Sequence, residues 1–329
     1  MLLSTPAIRA IRHRFPNAEL VVVAGEWNEI VLRGNPNIDR LIRYNSPRFA
    51  RPPFATHTMA DLRNALGGWR PDLIVALRDD APAMMSAMRS AARYIGRGRS
   101  HLVDWLRRRG NNTIARPHEI DRTLQLLREH GIEHSNDRRL DYTVAESERR
   151  DAAALLSAQG VPALFAAIQP GTSLAMKEWS LERFAAVARH LRESYGLRIV
   201  LIGPENERER TRALGTMIAD LEPIDLTGML GLRPTVALLE RAALYFGSDG
   251  GSMHLAAHVG TPTLGLFGPG SISGFHPVGP HALGISAQLP CSPCPLTVCI
   301  RPHSTCMDAL AVADAVGAID NLMRQKQGG

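Results

Sequence analysis

The sequence predicts an α/β protein of parallel sheets with helices on both faces, divided into two domains. Three observations carry this. Short β-rich apolar runs alternate with helical segments, the pattern of parallel strands joined by crossover helices. At 329 residues the chain exceeds one ordinary core, and roughly 100 to 200 residues per domain is the expectation. The runs also fall into two groups, separated near residues 145–162 by a polar, Ala-rich helical stretch ending Gly160-Val161-Pro162. The expected domains are 1–155 and 156–329.

Taken in order, Leu20 to Ala24, Leu73 to Leu77, Leu164 to Gln169, Ile199 to Ile202, Leu244 to Gly247 and Thr263 to Phe267 read as buried strands. Helical spacing marks Ala7 to Phe15, Ala81 to Arg93, Glu119 to His130, Leu181 to Tyr195 and Thr235 to Ala243. Ser180 reads as the N-cap of the Leu181 helix, with Arg183 making an imperfect capping box. A Pro/Arg-rich loop spans Ser46 to Pro53, and no internal repeat is present.

Composition narrows the function. Hydrophobic residues form 45% of the chain and charged residues 21%, which fits a globular protein and excludes a disordered or fibrous one. No run reaches the roughly 18 apolar residues of a membrane span, and the start has no basic leader with an apolar run. A cytoplasmic address is expected. Net charge is 38 − 32 = +6, split as 25 − 18 = +7 over residues 1–151 and 13 − 14 = −1 over the remainder. A cationic first domain suits an anionic partner such as a phosphorylated glycolipid or an acidic membrane surface. All 25 of its basic residues are Arg, so codon bias is an equal explanation. Only Arg107-Arg108-Arg109 forms a run, and no stacking aromatics accompany it, which argues against nucleic acid.

Ligands of open parallel sheets sit beyond the carboxyl ends of strands, so the loops there are the candidate sites. Two domains also imply a cleft. The Leu164–Gln169 strand runs into Pro170-Gly171-Thr172-Ser173 and then Lys177. Hydroxyls in a tight glycine turn, followed by a point charge, make a diphosphate cradle. Lys177 is one of two lysines, with Lys326, in a chain that otherwise uses Arg; this suggests a site that needs a compact ammonium. After the Leu244 strand, Ser248-Asp249-Gly250-Gly251-Ser252-Met253-His254 lets a backbone approach closely and opens a helix N-terminus to an anion. Asp249 is a candidate for a sugar hydroxyl or a helix cap, and His254 for a phosphate contact or a packing residue. Glu205, in Gly203-Pro204-Glu205, suits a ribose or simply a helix N-terminus.

These segments, with Asp225-Leu226-Thr227-Gly228, Gly260-Thr261-Pro262-Thr263, Leu266-Phe267-Gly268-Pro269, Leu3-Ser4-Thr5-Pro6 and Pro71-Asp72-Leu73-Ile74-Val75-Ala76-Leu77-Arg78, resemble the ADP-heptose:lipopolysaccharide heptosyltransferases, glycosyltransferase family 9. The resemblance covers nearly the whole chain. It implies a GT-B fold, two Rossmann-like domains whose parallel sheets face a central cleft, with acceptor held by the first and nucleotide-sugar by the second. On the donor side it assigns Thr172, Ser173 and Lys177 to the diphosphate, Glu205 to the ribose and Met229 or Leu230 to the adenine. Asp249, Gly250, Gly251 and His254 fall beside the sugar and phosphates. Ser4, Thr5, Arg78 and Asp79 are the acceptor-side candidates, with Asp80 beside them. The implied partners are an ADP-sugar donor and a phosphorylated glycolipid acceptor, with peripheral contact at the inner membrane surface. No cofactor is expected, and inverting transfer proceeds without metal.

The family's catalytic aspartate lies in a Gly-Asp pair ahead of the Leu-Leu-Ser-Thr-Pro motif. Here that position falls upstream of Met1, so the catalytic residue is unknown, and a start assigned too late is the expected explanation. The alternative is a non-catalytic nucleotide-sugar-binding protein without its base. A dinucleotide oxidoreductase is disfavoured because no G-x-G-x-x-G follows a strand. Cys291, Cys294, Cys299 and Cys306 cluster near the end; their spacing permits a four-thiolate metal site as an alternative to free thiols.

Overall fold

The computed structural model describes residues 1–46, 56–77, 93–96, 117–294, 299, 301 and 304–327. Arg78, Asp79, Asp80, the Arg107–Arg109 run, the predicted helix at 81–93 up to its last residue, and all of the 46–53 loop beyond Ser46 lie outside these residues. The chain divides into two compact units, which part between Thr143 and Val144.

In the first unit, α1 (Thr5–Arg14) precedes β1 (Val21–Ala24), α2 (Glu26–Leu32), β2 (Arg40–Arg43), α3 (Met59–Leu66), β3 (Leu73–Ala76), β4 (Arg93–Gly96) and α4 (Glu119–Glu129). β1 pairs in parallel with β2, and β3 with β4. β2 and β4 were not read from the sequence: each is four residues long and has Arg at one or both ends, so neither shows an apolar run. Arg9 fixes α1 to the chain after α4. Its guanidinium pairs with Asp141 and donates to the Arg139 carbonyl at 2.9 Å.

The second unit runs α5 (Glu146–Ala158), β5 (Phe165–Gln169), α6 (Leu181–Tyr195), β6 (Arg198–Leu201), α7 (Arg208–Met217), β7 (Ile224–Asp225), α8 (Leu232–Leu239), β8 (Leu244–Ser248), α9 (Gly251–His258), β9 (Thr263–Phe267), α10 (Ile272–Phe275), β10 (Ala282–Ser286) and α11 (Val312–Gln327). Its six strands are all parallel, in the order β10-β9-β8-β5-β6-β7. This is the doubly wound arrangement, with its topological switch between β5 and β8. β5, β8 and β9 are buried almost throughout, as strands covered on both faces must be.

The core of this sheet gathers Phe184, Val187 and Leu191 of α6, Phe246 of β8, and Ile319 and Leu322 of α11 around Trp179. Each such fully buried apolar side chain contributes about 1.5 to 3 kcal/mol relative to exposure. Trp179 packs edge-on to Phe184 and Phe246, and its indole N–H donates to the Leu310 carbonyl at 3.0 Å.

Several boundaries differ from the sequence reading by a residue or more, two of them for a visible reason. The helix expected at Thr235 to Ala243 is Leu232–Leu239. Pro234 sits in its first turn, where a missing N–H costs nothing, so the helix begins before the proline rather than after it. The strand expected at Ile199 to Ile202 is Arg198–Leu201, Arg198 being the register partner of Phe165.

Candidate functional site

β5 and β8 lie side by side, with Gln169 opposite Gly247. The chains that follow them leave in opposite senses, to β6 and to β9, the switch point at which open parallel sheets bind ligands. From β5 comes the 170–179 loop; from β8 come Asp249, Gly250 and Gly251. The two loops meet through Lys177, whose Nζ lies 2.6 Å from Asp249 Oδ2. The side chains are 22% and 12% exposed, so the pair is reachable yet partly screened from water.

Asp249 is held from two further directions. Its N–H donates to the Leu266 carbonyl at 2.9 Å, continuing the β8–β9 pairing. A Cβ on Gly270 would stand 2.8 Å from its Oδ2, so the loop after β9 approaches the carboxylate as closely as glycine allows. Its carboxylate does not cap α9: the N-cap is Gly250, extended at φ −168°, and no side chain caps it. Gly250 and Gly251 are exposed, and a Cβ on Gly251 would meet nothing. The first N–H groups of α9 therefore present roughly half a positive charge. His254 is buried one turn further in. Thr172 is half-buried and Ser173 exposed, both on the loop that Lys177 closes.

The chain from Glu205 to Arg210, just after β6, lies against the 170–179 loop from its other side. Glu205 receives both arms of Arg208, at 2.6 Å each, and Arg208 also donates to the Thr227 carbonyl at 2.5 Å. Gly228 has φ +72°, a conformation that favours glycine, and a Cβ there would overlap Glu205. Beside it Met229 is 44% exposed, unusual for a large apolar residue, and Leu230 is half-buried. Glu205, Met229 and Leu230 thus frame one end of the strand edge, while Lys177, Asp249 and Gly250 frame the switch point.

Two residues here went unread in the sequence. Glu207 accepts from Gln169 Nε2 at 3.0 Å and lies against Gly171 and Gly203, both of which have no room for a Cβ. Burial pushes its carboxyl above the ordinary range, over the opposing pull of the Gln169 hydrogen bond and of Arg210. Arg210 donates to the Pro170 carbonyl and to Glu178 at 2.9 Å each, and to the Trp179 carbonyl at 2.5 Å. The sequence signal was a charged run, Glu205 followed by Glu207-Arg208-Glu209-Arg210, at a helix start; the backbone partners carry no sequence signature.

In the first unit, Ser4 and Thr5 stand where the short turn at Leu2–Ser4 enters α1. The Thr5 hydroxyl donates to the Leu2 carbonyl at 2.8 Å and accepts from the Asp141 N–H at 2.8 Å, with no exposed surface. That places Thr5 as a structural joint between α1 and the 141 segment. Ser4 is also buried.

The four cysteines are free and each half-buried. Among the described residues no group of three or more His, Cys, Asp or Glu gathers to hold a metal. Burial pushes the Cys306 thiol up, and Cys291 and Cys299 add to it.

The family model of glycosyltransferase family 9 (heptosyltransferase) matches residues 60–304. Lipopolysaccharide heptosyltransferase 3 of Escherichia coli K12 is 26% identical over 282 residues, covering 82% of this chain and 79% of that protein. Among solved structures, a glycosyl transferase family 9 protein of Veillonella parvula superposes with a TM-score of 0.80 at 20% identity, over 98% of this chain and 94% of that one. E. coli ADP-heptose lps heptosyltransferase II gives 0.71 at 17% identity, over 99% and 96%. E. coli heptosyltransferase WaaC, solved with ADP, gives 0.67 at 18% identity, over 98% and 95%. At these identities the structures show a shared fold, GT-B.

Proposed function

The chain belongs to glycosyltransferase family 9, and from that premise we propose that it moves heptose from ADP-heptose to a lipopolysaccharide inner-core acceptor, with inversion and without a metal ion. The observation that carries the donor half is the Lys177–Asp249 pair at the switch point, set beside the uncapped start of α9. A nucleoside diphosphate needs compact positive charge and backbone N–H groups there, and both are at hand. The solved relative that carries ADP supports the same choice of nucleotide.

In the reaction the bond from the anomeric carbon to the diphosphate oxygen breaks while an acceptor hydroxyl attacks from the opposite face. Negative charge grows on the departing ADP. Lys177 and the N–H groups after Gly250 stabilise that charge in place of a metal ion. Thr172 and Ser173 complete the cradle, Glu205 receives ribose hydroxyls, and Met229 with Leu230 covers the adenine. Asp249, already held by its backbone bond to Leu266, accepts from a heptose hydroxyl, and His254 supports the phosphates through α9. The hydroxyl proton passes to a general base; no residue of this chain is assigned that role.

On the acceptor side we assign a phosphorylated glycolipid to the first unit, through Ser4, Arg78 and Asp79 and the excess of Arg. No helix among the described residues is long and apolar enough to cross a membrane. A peripheral position at the cytoplasmic face of the inner membrane fits such an acceptor. The test is incubation with ADP-heptose and a lipopolysaccharide core lacking heptose, read by mass spectrometry. A gain of one heptose with release of ADP supports the assignment. Transfer from another nucleotide-sugar in preference to ADP-heptose contradicts it.

A further inference from the structure

The chain from Glu205 to Arg210 grips two different loops with alternate residues. Arg208 holds the Thr227 carbonyl and, through Glu205, lies over Gly228, on the loop that leads to Met229. Arg210, at the next position but one, turns to the opposite side and holds the loop that carries Thr172, Ser173 and Lys177. We propose that Arg210 is a positioning residue for the diphosphate half of the donor site, and that Arg208 plays the corresponding part for the nucleoside half. This rests on the donor-site reading above.

The geometry of Arg210 suits such a task. Three of its nitrogens are engaged: Nε on Pro170 O, Nη1 on Glu178 and Nη2 on Trp179 O. Pro170 and Trp179 are the two ends of the loop, so one rigid planar group spans its mouth. A guanidinium presents its donors in a fixed fork; a lysine in its place supplies one point charge and cannot reach both carbonyls at once. Fixing both ends of a loop of this length removes conformational freedom that ligand binding would otherwise have to remove.

Arg210 is not what anchors Trp179. The indole is fully buried and tied independently to the Leu310 carbonyl. Loss of Arg210 therefore frees the near end of the loop, at Pro170 and Gly171, and leaves the core packing in place. The displacement is passed to Lys177, which reaches Asp249 from this loop. A ligand group that touches Lys177 feels the change; one that touches only Met229 and Glu205 does not.

The experiment compares the unaltered protein with Arg210→Ala, Arg210→Lys and Arg208→Ala. ADP binding is followed by calorimetry and adenosine binding by competition against ADP, with a thermal unfolding midpoint for each protein. The expected result is a loss of ADP affinity of about tenfold or more in Arg210→Ala, with adenosine within about twofold, and partial recovery in Arg210→Lys. Arg208→Ala is expected to weaken ADP and adenosine alike. Unchanged ADP affinity in Arg210→Ala, or equal loss of ADP and adenosine, overturns the proposal. Failure of the unaltered protein to bind ADP at all instead overturns the donor-site reading, and this inference with it.

Discussion

Lys177 Nζ lies 2.6 Å from Asp249 Oδ2, tying the loop that leaves β5 to the loop that leaves β8. On the proposed donor reading, the ammonium that would meet a diphosphate is paired with a carboxylate. An incoming diphosphate competes with that carboxylate for the same ammonium. Asp249→Asn keeps the side-chain shape and removes the competition, so ADP is expected to bind about three- to tenfold more tightly, and isothermal titration measures this. Weaker binding in the variant would show that Asp249 orients the lysine more than it competes for it.

Gly228 has φ +72° and no room for a Cβ beneath the Glu205–Arg208 fork. Gly228→Ala is expected to cost roughly 1 to 2 kcal/mol in backbone strain alone and to open the fork. If that fork serves the nucleoside end, as proposed, adenosine and ADP affinities should fall together. A variant that loses ADP but keeps adenosine would place Gly228 with the diphosphate loop instead.

Burial raises the Glu207 carboxyl above its ordinary range. The folded chain therefore holds this proton more tightly than the unfolded chain does. Its contribution to stability is full below the unfolded carboxyl value and is lost as pH rises through the raised folded value. Glu207 lies under Gly171, at the start of the diphosphate loop, so a bound diphosphate adds negative charge near it and raises the carboxyl further. ADP affinity is expected to increase as pH falls through the raised range, and Glu207→Gln, neutral throughout, to flatten that dependence. Parallel pH profiles for the two proteins would remove Glu207 from the account.

Trp179 is fully buried where the diphosphate loop meets the core. Trp179→Ala leaves a large cavity and removes one of the two donors to the Leu310 carbonyl, Arg183 remaining, and is expected to destabilise the fold by about 3 to 5 kcal/mol in urea unfolding. A loss below about 1 kcal/mol would mean that the loop's far end is held by something else.

Much of this was legible before the structure. β9 and α6 are found at the residues their patterns mark, and the glycine-rich turns after β5 and β8 announced themselves because glycine, small hydroxyls and a solitary lysine are rare together. What the sequence hid has a physical reason in each case. β7 has two residues, and β10, Ala-Leu-Gly-Ile-Ser, lies at the sheet edge without a continuous apolar run. Glu207 and Arg210 escaped notice because their partners, Gln169, Pro170 and Trp179, lie 31 to 40 residues away and offer mostly carbonyl oxygens. Thr5 drew attention through its motif, yet its hydroxyl serves α1 and Asp141. A motif identifies residues without saying whether a ligand or the fold uses them.

The central claim is that the switch point at β5 and β8 binds the diphosphate of an ADP-sugar through Lys177. Its most direct test is calorimetric titration of the chain and of Lys177→Ala with ADP, with UDP as competitor. Saturable ADP binding that UDP fails to displace at equal concentration, weakened at least about tenfold in the variant, is the result predicted. Equal affinity for ADP in both proteins, or ready displacement by UDP, would contradict it.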